Sequence, residues 1–171
     1  MKPNRHGADS GACEDDAWLL GADQVCESFG VVHGFSFSTQ IRVRFAETDA
    51  QGVAHNATYL VWFEIARVEY LERFAGGYPA LREHGIEAFV TEAHLRYGAP
   101  ARFDDRLELH ARVSDVRGAR FRFEYRLERD GELVAYGWTA HACVDAATHH
   151  PTRVPVWLAE AIARAEQAPA S

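Results

Sequence analysis

The amino-acid sequence predicts an α+β fold, in which a five-stranded antiparallel sheet wraps around one long central helix and a second helix follows at the C-terminal end. Three observations predict it: a strand-like alternation early in the chain, a long helical segment that is apolar on nearly every side, and four further alternating segments after it. Such a helix needs cover, and the sequence offers no second sheet to supply it. We therefore expect a single sheet to curl around the helix.

The first strand is predicted from an alternation that begins at Phe35. Every second side chain is apolar or small, and the side chains between them are mostly polar. This pattern is typical of a strand with one face in the core. The inward-facing set comprises Phe35, Phe37, Thr39, Ile41, Val43 and Phe45.

The central helix is predicted from about Ala57 to Phe74, after a turn-rich stretch at residues 47–52. Aromatic and aliphatic side chains go almost all the way round it, so we expect the rest of the protein to enclose it. Gly76-Gly77 should end the helix. A short turn is expected over residues 79–84.

Four alternating segments follow without another long helical pattern, and each is predicted to be an antiparallel strand. The third and fourth of them meet at Asp130-Gly131, a pair that favours the positive φ angles of a tight hairpin. A last helix is predicted over residues 155–168, with Trp157, Leu158 and Ile162 on its apolar side. The four strands are predicted at residues 88–97, 106–114, 119–129 and 133–145.

The length of 171 residues suits one domain, which we expect to cover residues 34–168. Residues 1–33 form a polar arm rich in glycine, alanine and aspartate, with one apolar knot at Trp18-Leu19-Leu20. This composition predicts partial disorder or a short helix.

The composition argues against several classes of protein. A formal net charge of -7 argues against nucleic acid as a partner, because phosphate binding needs a concentrated basic surface. Three cysteines without a CxxC spacing predict neither a disulfide framework nor a thiolate metal site. The nine histidines include His149-His150 but no HExxH or His-x-His spacing, so no metal site is expected.

The location is expected to be the cytoplasm. Residues 1–16 contain no apolar run of the roughly 7 to 15 residues that a secretory signal needs. No uncharged stretch reaches the roughly 18 residues of a membrane span, so no span is expected either.

The residues that predict chemistry lie between the first strand and the central helix. Asp49 should be ionised at neutral pH, so its carboxylate can act as nucleophile or as general base. Asn56 stands at the predicted helix start, where free N–H groups favour an anion, and Gly52 permits close approach of the backbone to a ligand. His55 either bonds a substrate or covers the helix end. An isolated Asp here is more often a cap, so the prediction depends on the whole motif.

The stretch from Arg44 to Leu60, RFAETDAQGVAHNATYL, resembles the signature of the 4-hydroxybenzoyl-CoA thioesterase family and its relatives, the small bacterial acyl-CoA thioesterases of the hotdog superfamily. A later stretch, residues 92–105, is similar to that family's second strand and the turn after it. The resemblance spans about residues 35–158 and implies the hotdog fold. The positions that match the first motif are Thr48, Asp49, Gly52, Val53, Asn56 and Tyr59.

This resemblance implies an acyl-CoA thioesterase that hydrolyses the thioester of a small aromatic or aliphatic acyl-CoA. It needs no cofactor, since coenzyme A enters as part of the substrate. Asp49 would be the catalytic carboxylate and the backbone amide of Asn56 the oxyanion hole. Arg117 and Arg120 would meet the coenzyme A phosphates. Since sites in the family lie between two subunits, the resemblance also implies a homodimer or homotetramer. Gly52, Val53 and Tyr59 are the other expected substrate contacts.

Some residues carry two interpretations. Tyr59 is either a substrate contact or a packed aromatic side chain. Glu64 and Arg67 lie three residues apart on one helical face, so they either pair with each other or point into a site. In the second case Glu64 is a reserve catalytic carboxylate and Arg67 a substrate contact.

The function also has alternatives. The thin basic cluster around Arg117 leaves room for an acyl-carrier-protein thioester as the substrate. A non-catalytic acyl-thioester-binding protein on the same fold is a second alternative. A hotdog hydratase is disfavoured, because the sequence after Gly52 lacks the Asp/His pattern of that group.

Overall fold

The computed structural model describes residues 34–35 and 37–167, so the predicted N-terminal arm lies outside the described residues. A three-residue 3-10 turn, Phe45–Glu47, leads from the first strand toward the first helix. The helices and strands are β1 (Phe37–Arg42), α1 (Thr58–Ala75), α2 (Gly77–Glu83), β2 (Ile86–Tyr97), β3 (Arg106–Arg117), β4 (Arg120–Arg129), β5 (Glu132–Asp145) and α3 (Val156–Gln167).

The five strands form one sheet in the order β1-β3-β4-β5-β2, and every neighbouring pair is antiparallel. The predicted five-stranded antiparallel sheet is therefore confirmed. Asp130 and Gly131 join β4 to β5 with φ angles of +50° and +85°. Positive φ at both positions is what a two-residue hairpin of this twist requires, as the Asp-Gly pair predicts.

Helix α1 packs across the inner face of the sheet, and aromatic side chains make the contact. Phe63 is fully buried and stacks on Tyr125 of β4, with ring centroids 4.2 Å apart and planes 10° apart. Two turns further along α1, the Tyr70 ring contacts the Phe123 ring edge-on, with centroids 5.2 Å apart. These contacts place the core between α1 and β4, and the long central helix is confirmed.

The expected complete enclosure of α1 is wrong for the single chain. Leu60 and Val61 are 40% and 48% exposed. The sheet covers one side of the helix, and no described element covers the opposite flank. The apolar residues on that flank therefore reflect a surface that the single chain leaves open.

The turn expected over residues 79–84 is wrong for all but its last residue, because residues 79–83 belong to helix α2. Gly76 adopts the left-handed conformation, with φ +76°, and thereby ends α1. Gly77 then starts α2 at once. Pro79 lies in the first turn of α2, where backbone N–H groups have no partner within the helix, so its missing N–H does no harm.

The first strand is shorter than its alternation predicts. β1 ends at Arg42, and Phe45 is 76% exposed in the 3-10 turn rather than inward-facing. Val43 remains buried. Its N–H donates to the Asp105 carbonyl, and its carbonyl accepts the Asp104 N–H, both in the loop before β3. The chain leaves the sheet after Val43, so the apolar residue that follows no longer faces the core.

A row of polar side chains crosses the core beside α1. The Tyr125 hydroxyl lies 2.9 Å from Oγ1 of Thr139, which lies 2.8 Å from Nε2 of His141. Arg67 of α1 is also buried, and its Nε donates to the Tyr78 hydroxyl at 3.3 Å. Burial, and then the positive charge of Arg67, lower the pKa of His141 to about 3.

This depressed pKa predicts acid sensitivity. As the pH falls below 6.5, the ordinary pKa of histidine, the unfolded chain binds a proton at residue 141 that the folded chain excludes until about pH 3. The free energy of unfolding should therefore fall, by up to about 2 kcal/mol between pH 7.5 and pH 5 from this group. We expect urea unfolding to show a shallower decline for His141→Gln, which does not titrate. An equal decline in both proteins would contradict the assignment.

Candidate active site

The loop between β1 and α1 folds the motif back on itself. Thr48 and Ala54 form an antiparallel bridge, and within it the Asp49 N–H donates to the Val53 carbonyl at 2.9 Å. The Gly52 N–H donates to the Asp49 carbonyl at 3.0 Å, and Gly52 has φ +74°. Residues with a side chain rarely adopt this backbone conformation, so the tight turn explains why glycine stands at position 52.

The Asp49 carboxylate is half-buried, and only one of its oxygens is committed. Oδ1 accepts the backbone N–H of Gln51 at 2.8 Å, which holds the side chain in one orientation. Within residues 37–167, Oδ2 has no hydrogen-bond partner. The arrangement leaves one oriented carboxylate oxygen able to attack a carbon or to accept a proton.

The backbone N–H of Asn56, just before α1, is uncommitted within the part of the chain that the structure describes. The His55 N–H donates to the Glu47 carbonyl at 2.8 Å, and the Thr58 N–H donates to the His55 carbonyl at 2.9 Å. The Ala57 N–H donates to Nδ1 of His55 at 3.2 Å. Among the described residues, the Asn56 N–H between them finds no acceptor. A free N–H at a helix start is suited to bind an oxygen that carries negative charge.

His55 covers the helix end through that contact with Ala57. Because Nδ1 accepts a hydrogen bond, the neutral ring carries its proton on Nε2. The imidazole is otherwise exposed. A contact between this ring and a substrate stays a prediction.

Tyr59 is packed in the interior, 3% exposed. Its ring lies 4.9 Å from that of Trp62 and 5.0 Å from that of Tyr97, and burial raises the pKa of its hydroxyl. These contacts favour the packed interpretation of Tyr59 over a substrate contact. Val53 is half-buried in the turn beside Asp49.

Two hydrogen bonds at this site are not predicted from the sequence. The Tyr97 hydroxyl, from β2, donates to the Asn56 carbonyl at 3.0 Å and so holds the first turn of α1 against the sheet. The Glu47 carboxylate is buried and accepts the indole N–H of Trp62 at 3.2 Å. One signal is available for Glu47: it continues the odd-numbered positions that face inward along β1, where a charged residue is unusual.

Glu64 and Arg67 lie farther along α1. Glu64 is eight residues beyond Asn56, about 12 Å along the helix axis. The two side chains pair, with an N···O distance of 3.5 Å. Glu64 also lines a shallow hollow of about 440 Å³ on the open flank of α1. The single chain therefore does not bring Glu64 or Arg67 to the Asp49 loop.

Arg117 and Arg120 lie at the end of the sheet remote from Asp49. The C-terminal end of β4 lies near the Asp49 loop. Arg129, the last residue of β4, donates to the Pro100 carbonyl, and the neighbouring Ala101 carbonyl accepts the N–H of Ala54 in that loop. Arg120 starts β4, nine residues earlier and so about 30 Å away. Within one protomer these arginines do not reach a ligand carbonyl at Asp49.

Among the described residues, no three His, Cys, Asp or Glu side chains lie close enough together to hold a metal ion. No helix within residues 37–167 has both the length and the hydrophobicity to cross a bilayer.

Comparison with known sequences gives a consistent result. Residues 43–162 match the model of the thioesterase-like superfamily. The chain is similar to the acyl-CoA thioesterase YbgC of Haemophilus influenzae, 38% identical over 124 residues, which are 72% of this chain and 90% of that protein. It is also similar to a 1,4-dihydroxy-2-naphthoyl-CoA hydrolase of Synechococcus elongatus, 30% identical over 125 residues, with coverage of 68% and 90%.

Comparison with solved structures agrees. A hypothetical protein from Thermus thermophilus superimposes with a TM-score of 0.70 at 37% identity, covering 74% of this chain and 97% of the other. The family-model match over residues 43–162 includes the loop and the helix start described above. The chain belongs to the thioesterase-like superfamily.

Proposed function

We propose that this protein hydrolyses an acyl-CoA thioester, with the reacting carbonyl held between Asp49 and the start of α1. As a member of its family, with curated relatives that are thioesterases, the chain is a thioester hydrolase. The observation that carries the site assignment is the free Asn56 N–H, which stands beside a loop that presents a free carboxylate oxygen.

The Asn56 N–H would stabilise the negative charge that develops on the thioester oxygen. During attack at the carbonyl carbon, the C=O bond becomes a C–O⁻ single bond and the charge moves to oxygen. A fixed backbone donor at a helix start stabilises this charge without rearranging. The functional atom is part of the backbone, so the Asn56 side chain contributes little.

Asp49 would supply the driving carboxylate by one of two routes. As general base, Oδ2 takes a proton from water while the water oxygen bonds the carbonyl carbon. As nucleophile, Oδ2 bonds that carbon itself and forms an anhydride, which water then hydrolyses. Both routes break the C–S bond and release coenzyme A as the thiol, without a resident cofactor. Hydrolysis in water labelled with ¹⁸O distinguishes them, since only the second can place label in Asp49 during a single turnover.

The site would be completed by a second copy of the chain. β2 is an edge strand of 12 residues, most of them exposed, and Phe89 and Val90 are 42% and 49% exposed on it. A long exposed edge strand is a template for pairing with another strand. Pairing there would bring a partner to the Tyr97 end of β2, close to Asn56. Arg117 and Arg120 would then meet the coenzyme A phosphates of the partner's site.

This assembly is tested in solution. We expect sedimentation equilibrium to give at least twice the chain mass of 19.1 kDa for the full chain. Val90→Lys should shift the protein to the monomer and lower hydrolysis with it, because the ammonium group cannot be buried in an apolar interface without a partner. The control is Val156→Lys, at a position 70% exposed on α3. A monomeric wild-type protein that hydrolyses acyl-CoA at full rate would contradict the shared site.

Substrate choice is tested with a panel of acyl-CoA thioesters and thiol capture by a chromogenic disulfide. We expect a short aliphatic or aromatic acyl-CoA to release thiol. Of the three aromatic candidates for contact with the acyl group, Trp62 and Phe63 are already packed in the core, whereas Phe89 is 42% exposed in the single chain. The panel includes an acyl-carrier-protein thioester. If that is the only substrate hydrolysed, the acyl carrier is the carrier protein rather than coenzyme A. Saturable binding without thiol release would instead identify a non-catalytic acyl-binding protein.

A further inference from the structure

Glu47 is a buried residue whose carboxylate joins the segment before Asp49 to helix α1, and nothing in the chemistry above uses it. We propose that Glu47 is a positioning residue, which aligns the Asp49 loop with the free Asn56 amide at the start of α1. The inference rests on the proposed function and deepens it. It differs from the roles of Asp49 and Asn56, because Glu47 would not touch the substrate.

The carboxylate of Glu47 ties its own loop to the second turn of α1. The side chain is 8% exposed. Oε1 accepts the indole N–H of Trp62 at 3.2 Å and a guanidinium N–H of Arg44 at 2.6 Å. Oε2 accepts the backbone N–H of Arg44 at 2.8 Å. The Glu47 carboxylate therefore accepts three hydrogen bonds, two from Arg44 and one from Trp62 of α1.

The backbone carbonyl of Glu47 ties the loop to the helix start as well. It accepts the His55 N–H at 2.8 Å, and the Thr58 hydroxyl lies 3.5 Å from it. His55 immediately precedes Asn56, and Asp49 is two residues after Glu47. A movement of Glu47 would thus displace the Asp49 carboxylate relative to the Asn56 N–H.

The charge of Glu47 is maintained by these contacts. Burial alone would raise its pKa, but the hydrogen bonds from Arg44 and Trp62 outweigh burial and hold the pKa below its usual value. The residue is therefore ionised at neutral pH. A buried carboxylate of this kind stays in place only while its donors are present, which makes the geometry of the loop sensitive to each of them.

The first test compares two Glu→Gln variants. Glu47→Gln keeps the shape and an acceptor for Trp62, but it removes the charge that pairs with Arg44. The matched control is Glu124→Gln on β4, where another half-buried carboxylate accepts hydrogen bonds from Arg112 at 2.7 Å and Ser114 at 2.8 Å. Both changes remove an ion pair, but only one lies at the site.

We expect Glu47→Gln to lower kcat about tenfold to a hundredfold with KM changed less than about twofold, since misplacement by an ångström is enough for such a loss. Glu124→Gln should keep the wild-type kcat. A wild-type kcat for Glu47→Gln would overturn the proposal. So would an equal loss in both variants, which would indicate a general structural effect.

A second variant covers the case in which Glu47→Gln does not fold. Trp62→Phe keeps the Glu47 charge and most of the buried aromatic surface but removes the indole N–H. Its kcat should fall in the same direction, again with KM nearly unchanged. A folded Trp62→Phe protein with wild-type kcat would overturn the proposal.

Failure of the proposed function is read separately from failure of this inference. If the wild-type protein hydrolyses nothing in the acyl-CoA panel, the proposed function is wrong. The alignment is then measured by NMR, through the amide resonance of Asn56. That resonance should shift in Glu47→Gln or Trp62→Phe and stay in place in Glu124→Gln. An unmoved Asn56 resonance in the site variants would overturn the alignment whatever the protein catalyses.

Discussion

Asp49→Asn is expected to lower kcat for acyl-CoA hydrolysis by about a hundredfold or more. The amide keeps the size of the carboxylate, and its oxygen can still accept the Gln51 N–H that orients the side chain in the wild-type protein. It can neither take a proton from water at neutral pH nor attack the carbonyl carbon effectively. The loss should therefore appear in kcat far more than in KM.

The control for this variant is Asp130→Asn. Asp130 is exposed in the hairpin between β4 and β5, and asparagine tolerates its φ of +50° well. Both proteins are assayed at saturating acyl-CoA, after thermal unfolding has verified that each is folded. A wild-type kcat for Asp49→Asn would remove Asp49 from the mechanism.

Phe63→Ala is expected to lower the free energy of unfolding by about 3–5 kcal/mol. Phe63 is fully buried, stacks on Tyr125, and lies over Gly137 of β5, where the Cβ atom of any other residue would lie 3.1 Å from the Phe63 ring. Truncation would leave a cavity between α1 and two central strands, which rigid strands cannot close. The side chain is thus a main contact between helix and sheet.

Urea unfolding of Phe63→Ala is compared with that of Val156→Ala. Val156 is 70% exposed, so its truncation should change the free energy of unfolding by less than about 0.5 kcal/mol. A change at Phe63 as small as that at Val156 would mean that α1 does not depend on this stack.

The order of the strands and helices is largely predictable from the sequence, because burial imposes a period on it. The alternating segments after α1 correspond to β2, β3, β4 and β5, and the Asp130-Gly131 pair predicts its hairpin correctly. The failures have local causes. Helix α2 is missed because proline is read as a turn residue, although the first turn of a helix accepts it.

The enclosure of α1 is mispredicted for a different reason. Hydrophobic pattern reports that a face is apolar but does not say which partner covers it. Leu60 and Val61 belong to the flank that the sheet does not reach. The same limit applies to β2, whose alternation predicts a half-buried strand although most of its residues are exposed at the edge of the single chain.

The candidate site is predictable where it is contiguous in sequence. Asp49, Gly52 and Asn56 fall in one loop, which the structure closes by the Thr48–Ala54 bridge. The Tyr97 contact escapes prediction because it joins residues 41 positions apart through the fold. Arg117 and Arg120 are expected from the resemblance to contact coenzyme A, yet the length of β4 separates Arg120 from the Asp49 end of the sheet within one chain.

The most direct test of the central claim is a crystal structure of Asp49→Asn with an intact acyl-CoA. We expect the thioester oxygen about 2.7–3.1 Å from the Asn56 backbone nitrogen, with residue 49 facing the carbonyl carbon. A thioester bound elsewhere, for example in the hollow beside Glu64, with the Asn56 amide still facing solvent, would contradict the account.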